Sequence, residues 1–91
     1  MAVFYTYIVC DKQDSLRGIG VTVDLKRRLK LLNLINKVKD NKCKLVYYEE
    51  FPDSTQATAY EDELNAYSEE ELRTLIEDNN PILVDLLEND E

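Results

Sequence analysis

Apolar and polar positions change period along the chain, and each change marks an element. Val3 to Cys10 is β-branched and aromatic with partial alternation, which predicts a strand. Asp11 to Ser15 is polar and turn-like, a length that suits a hairpin, and Leu16 to Val21 is the return strand. The period then becomes helical. Leu25, Leu29, Leu32 and Ile35 mark one face of a helix that Thr22 or Asp24 can cap and that runs to about Val38. Leucines at 31 and 34 widen the stripe, so much of this helix is expected to be buried. Asp40 to Lys42 ends it.

Leu45 to Phe51 reads as a third strand, stopped by Pro52. Ser54 is the expected N-cap of a second helix to about Ala66, whose face is Ala57, Tyr60, Leu64 and Tyr67. Ser68 with Glu71 forms a capping box for a third helix through Leu72, Leu75 and Ile76. Asn80 is expected to cap a last short helix, with Pro81 in its first position, then Ile82, Leu83, Leu86 and Leu87. Glu88 to Glu91 is an acidic tail expected to fray. The order β-β-α-β-α-α, with the short helix added, predicts one α+β domain over residues 1–91. Its core would be a small, mainly antiparallel sheet flanked by helices, an α/β sandwich.

Charge changes the picture more than composition does. The net charge is −8, but residues 1–44 carry +6 and residues 45–91 carry −14. The basic residues gather on the first helix and the loop after it: Lys26, Arg27, Arg28, Lys30, Lys37, Lys39, Lys42 and Lys44. A nucleic-acid binder usually shows a basic face, and an acidic half weakens association with phosphate. Either the two charges lie on separate faces, or the acidic face serves a different partner. No apolar run approaches the roughly 20 residues of a membrane span, and no signal peptide is expected. Cys10 and Cys43 are too few for a metal cluster or a disulfide framework, which points to reduced thiols in a cytoplasmic protein.

The candidate chemistry lies in the first 32 residues. Tyr5 and Tyr7 share one strand face. Gly18 and Gly20 bracket Ile19, where the backbone must bend or let something approach closely. Arg28 falls three after Leu25 and four before Leu32, on or beside the apolar helix face. On the second helix Glu61 is four after Ala57 and three before Leu64, at the flank of that stripe. Tyr47 and Tyr48 point to opposite faces, so one is expected in the core and one exposed.

Tyr7, followed by Gly18-Ile19-Gly20, Thr22, Asp24 and Arg27-Arg28-Leu29, resembles the GIY-YIG endonuclease superfamily. It is most similar to small stand-alone members, whose second motif reads roughly YxGxTxDLxRRL. The resemblance continues through LVYYEEF at 45–51, the segment with Glu61, Tyr67 and Ser68, and Asn80-Pro81. It implies a three-stranded antiparallel sheet flanked by helices. It also implies hydrolysis of a DNA phosphodiester with Mg²⁺ or another divalent metal held by a glutamate. Two tyrosines would position or deprotonate water, and an arginine would stabilise phosphate charge. Carried over, the first-motif tyrosine is Tyr7, the arginine is Arg28 and the metal-binding glutamate is Glu61. Lys26, Arg27 and Lys30 would meet the DNA backbone.

Other parts of the pattern are missing. The second-motif tyrosine falls on Gly18, and a histidine common near the end of the first helix falls on Leu32. Tyr60 stands where relatives have an arginine, and Asp62, Glu63 and Asn65 replace basic residues around the glutamate. The incomplete set favours a nuclease-like domain that acts by binding a protein or nucleic acid. The acidic C-terminal half could dock a basic protein or mimic a phosphate backbone. The alternative is an active Mg²⁺-dependent endonuclease, with Tyr5 standing in for the lost phenol. Ordinary structural roles compete with both: Tyr7 as a packed sheet residue, Arg28 as a surface or ion-paired arginine with Glu61 one candidate partner, and Glu61 as one more solvated carboxylate. Charge asymmetry also permits self-association, basic helix against acidic helices.

Overall fold

The alternation from Phe4 onward folds as the central strand of the molecule. A computed structural model describes residues 3–11, 13–35 and 43–87. Strand β1 (Phe4–Cys10) lies between β2 (Leu16–Thr22) and β3 (Lys44–Phe51), antiparallel to both. Three helices follow their expected places: α1 (Leu25–Ile35), α2 (Ser54–Asn65) and α3 (Glu69–Asn79). The three-stranded antiparallel sheet and the order β-β-α-β-α-α are as the sequence predicts.

The hairpin between β1 and β2 is built by one buried carboxylate. Asp11 accepts hydrogen bonds from the backbone N–H groups of Gln13 and Ser15 and pairs with Arg17 at 2.9 Å. The Ser15 N–H is the largest influence holding the Asp11 carboxyl below its ordinary pKa. Arg17 reaches Asp11 because it is the extra residue at a register shift, where Val9 pairs with Gly18 but Cys10 with Leu16. A second shift on the other side of β1 leaves Val46 as the extra residue, and both Val46 and Tyr47 enter one apolar cluster.

That cluster joins Ile8, Cys10, Val46 and Tyr47 to Leu64 of α2 and Leu72 and Ile76 of α3. The opposite sheet face holds Tyr7, Val9, Leu45 and Cys43 under Leu29 of α1, with Leu86 and Leu87 at its margin. The sheet is therefore a middle layer, with α2 and α3 on one side and α1 with the C-terminal segment on the other. This arrangement puts the basic helix and the acidic helices on opposite faces.

Three expectations change. Among the described side chains of α1, Leu25, Leu29 and Leu32 pack inward, whereas Leu31 and Leu34 are 48% and 65% exposed, so the leucine stripe is buried over a narrower arc than the leucine count suggests. Asp53, not Ser54, caps α2, accepting from the Gln56 N–H; its carboxylate reaches the third N–H beyond it, as a cap must. No helix forms over 81–87. Instead the Asn80 side chain accepts from the Val84 N–H and donates to the Val84 and Val46 carbonyls. Leu83 takes the left-handed conformation (φ 52°), which interrupts a right-handed helix. The expected end of α1 near Val38, the lysines at 37, 39 and 42, and the tail 88–91 lie outside the described residues. Among the described residues no helix is long and apolar enough to cross a membrane.

Candidate functional site

Tyr7 is the buried end of the candidate site. Its side chain is 5% exposed, packed with Val9, Leu29 and Leu45. The ring leans across β2 at Gly20, its cross-strand partner. A Cβ built on Gly20 would lie 2.5 Å from the Tyr7 hydroxyl and 2.7 Å from Cζ. Gly20 is thus required by the close approach of a phenol, the kind of need the sequence pattern anticipates. Gly18 is different. A Cβ there would meet nothing nearer than a Val9 methyl at 3.9 Å, and the position is exposed. The place of the missing second-motif tyrosine is open rather than filled by another group. Ile19, between the glycines, faces the opposite side and packs against the α2–α3 cluster.

Arg28 and Glu61 both act on the Tyr7 hydroxyl. Burial pushes its pKa up, the Arg28 charge pulls it down and the Glu61 charge raises it further. The three residues come from a strand and two helices, and the fold brings their charges to one phenol. Arg28 is exposed and Glu61 partly exposed. They are not ion-paired to each other, which leaves Arg28 a surface arginine.

Glu61 sits on a firmly seated stretch of α2. One turn before it, the buried Thr6 hydroxyl donates to the Ala57 carbonyl at 2.7 Å, and Thr6 neighbours Tyr7 on β1. Immediately before Glu61, the Tyr60 hydroxyl meets the Tyr47 hydroxyl at 2.8 Å. Tyr47 donates to Glu49 at 3.0 Å, so Tyr60 is the donor to Tyr47. Burial, then these bonds, drive the Tyr47 pKa far above its ordinary value and keep it a neutral link. Sequence reasoning missed this chain of phenols. Only the helical spacing of Tyr60, and the outward or inward choice at Tyr47 and Tyr48, hinted at it.

Tyr5 has different neighbours from Tyr7. Its hydroxyl is influenced by burial and then by Glu50, Tyr48 and Asp24, with neither Arg28 nor Glu61 among them. Its ring meets Tyr48 edge-on at 5.8 Å, beside a groove of about 280 Å³ that Asp24, Lys26 and Leu86 help to line. Tyr48 is 45% exposed and Tyr47 buried, as opposite faces require. Lys26, Arg27 and Lys30 are all exposed on α1. Leu32 packs at the margin of the Tyr7 cluster, so an apolar contact occupies the position of the expected histidine.

The fold is a small α+β domain in which the charges of Arg28 and Glu61 both bear on the buried Tyr7 phenol. The model of the GIY-YIG catalytic domain matches residues 3–71, and the chain belongs to the GIY-YIG family. No curated protein and no solved structure matches it.

Nucleases of this family depend on a divalent metal, and the donor set tests whether one fits. Among the described residues no three His, Cys, Asp or Glu side chains group as a metal site. Glu61 alone offers a carboxylate to the edge where Tyr7 lies. Mg²⁺ tolerates this, because it keeps several waters and takes one or two carboxylates plus phosphate oxygens. The residues fit an ion shared with a bound phosphate, and not a closed, all-protein site.

Proposed function

We propose that this chain is a nuclease-fold domain that engages a nucleic-acid phosphate at Tyr7, Arg28 and Glu61 and cleaves it poorly. The observation that carries the reading is that the charges of Arg28 and Glu61 act together on the Tyr7 hydroxyl. In this reading Glu61 holds Mg²⁺ or another divalent ion, which supplies Lewis-acid polarisation and a more acidic water when bound. Arg28 faces the phosphate, where a fixed cation opposes developing negative charge. Tyr7, with its pKa raised, keeps its proton at neutral pH and orients water as a hydrogen-bond donor rather than removing its proton. Proton removal then falls to the second phenol of the family, which Gly18 does not supply. Exposed Lys26, Arg27 and Lys30 contact the DNA backbone, while exposed Asp62 and Glu63 beside Glu61 oppose it. The work is done in the cytoplasm, an environment that suits the two buried cysteines.

The test is cleavage and binding of supercoiled plasmid and of branched or single-stranded DNA, with Mg²⁺ or Mn²⁺. Wild type is expected to bind and to nick slowly. Glu61→Ala should remove metal-dependent binding and nicking. Gly18→Tyr, placed in open space, should raise nicking by about 10²-fold, the scale of one acid–base contribution. Efficient cleavage by wild type, lost in Glu61→Ala, would favour a working endonuclease over this reading. Equal binding by wild type and Glu61→Ala would remove the site assignment itself.

A further inference from the structure

Helix α1 carries apolar residues that the fold leaves unused. Leu31 and Leu34 are 48% and 65% exposed. Arg27 and Lys30, also exposed, complete a stripe at 27, 30, 31 and 34, a spacing that places all four on one helix face. The stripe points away from the sheet, because Leu25, Leu29 and Leu32 occupy the inward face. A phosphate backbone would engage the two cations and leave both leucines in water. Nucleic acid would therefore use only the two cations of this surface, whereas a protein surface with anions around an apolar residue would use all four residues.

The same chain presents such a surface. On α3, Glu70, Glu77 and Asp78 are exposed. The one cation of α3, Arg73, is turned aside to Glu69 and to the Asp14 carbonyl. Just past the helix end Ile82 is 79% exposed, the most exposed large apolar side chain among the described residues. The α1 stripe carries two exposed leucines and two cations, and α3 with the residues just after it carries an exposed isoleucine and three exposed anions. Because α1 and α3 lie on opposite faces of the sheet, the two surfaces cannot meet within one copy.

We propose that the occupant of the α1 stripe is the α3–Ile82 surface of a second copy of this chain. The contact joins two different patches, so it is heterologous and adds copies head to tail, closing as a ring or continuing as a short filament. The net charge of −8 works against association at long range. At ~0.1 M salt the screening length is about 10 Å, which suppresses that whole-molecule repulsion and spares touching pairs. At ~1 M it falls to about 3 Å and the pairs weaken too. The contact does not depend on whether the Tyr7 edge binds or cleaves anything.

Sedimentation velocity of the full chain tests it. At ~0.1 M salt the weight-average mass should rise with protein concentration above the 10.6 kDa of one copy, and at ~1 M it should return toward that value. Leu34→Glu, at an exposed position, should hold the protein at one copy with an unchanged circular dichroism spectrum. Two charge reversals separate the surfaces: Arg27→Glu with Lys30→Glu, and Glu77→Lys with Asp78→Lys. Each should fail to associate alone, and an equal mixture should recover association, since each variant keeps the surface the other has lost. A wild type that stays at one copy at every concentration overturns the proposal. So does an α1 reversal that associates like wild type, and a mixture that does not recover removes α3 as the receiving surface.

Discussion

Two glycines two residues apart do different work. Gly20 is the floor on which the Tyr7 phenol lies, and an added methyl would fall 2.5 Å from the hydroxyl. Tyr7 is buried, so it cannot swing freely aside. Gly20→Ala is expected to cost about 1–3 kcal/mol, as overpacking does, and to displace the hydroxyl from Arg28 and Glu61. Gly18→Ala meets only ordinary contact at 3.9 Å and should be neutral or stabilising by about 0.5–1 kcal/mol, because glycine in a strand loses more chain entropy than alanine. Urea unfolding of the two variants checks this, and equal losses at both positions would contradict the assigned role of Gly20. The pattern Gly-Ile-Gly was legible in the sequence, but which glycine answers to a neighbour was not, since both read as the same residue at the same spacing on the same face.

At the scale of elements, side chains that cross between layers decide where each helix lies. Thr6 and Tyr47 fasten α2 to the sheet through Ala57 and Tyr60, the turn just before Glu61. Asn80 does the same for the C-terminal segment, bonding Val46 on β3 and both backbone polar groups of Val84. That segment brings Leu86 to the Tyr7 cluster and its N–H to the Leu45 carbonyl at 2.9 Å. Asn80→Ala should therefore cost about 1–3 kcal/mol, because buried carbonyls and an N–H lose their partner. It should also free residues 81–87, read as faster amide exchange at Val84 and Leu86. A cost without that local release would place the effect in the α3 cap alone. A helix after Asn80-Pro81 was the natural reading of local signals; a buried asparagine bonding across to another strand overrides them.

On the scale of the whole molecule, the sheet divides the charge. Helix α1 lies on one side of the sheet and α2 and α3 on the other, so that, Arg28 and Glu61 apart, cations and carboxylates are kept on different sides and a chain of net charge −8 keeps a local basic surface. If the proposed DNA contact uses Lys26, Arg27, Arg28 and Lys30, about four phosphates are neutralised. The logarithm of the binding constant should then fall with the logarithm of salt at a slope near −3.6, at about 0.9 per phosphate on duplex DNA. Fluorescence anisotropy across a salt series measures it. A slope near zero would mean that this helix does not meet the backbone.

The sequence by itself determined the kind and order of elements as far as Asn79, the capping box at Ser68, the pairing of Tyr7 with a glycine strand, and the family. These follow from local periodicity, capping chemistry and motif spacing, which are properties of neighbours along the chain. Only the tertiary structure decided that Tyr7 lies under the charges of both Arg28 and Glu61. It alone left Leu31 and Leu34 outside while Leu32 packs. Periodicity states which side of its own element a residue occupies. What waits on that side depends on how sheet and helices stack, and that is settled by burial and hydrogen bonds between residues far apart in the chain.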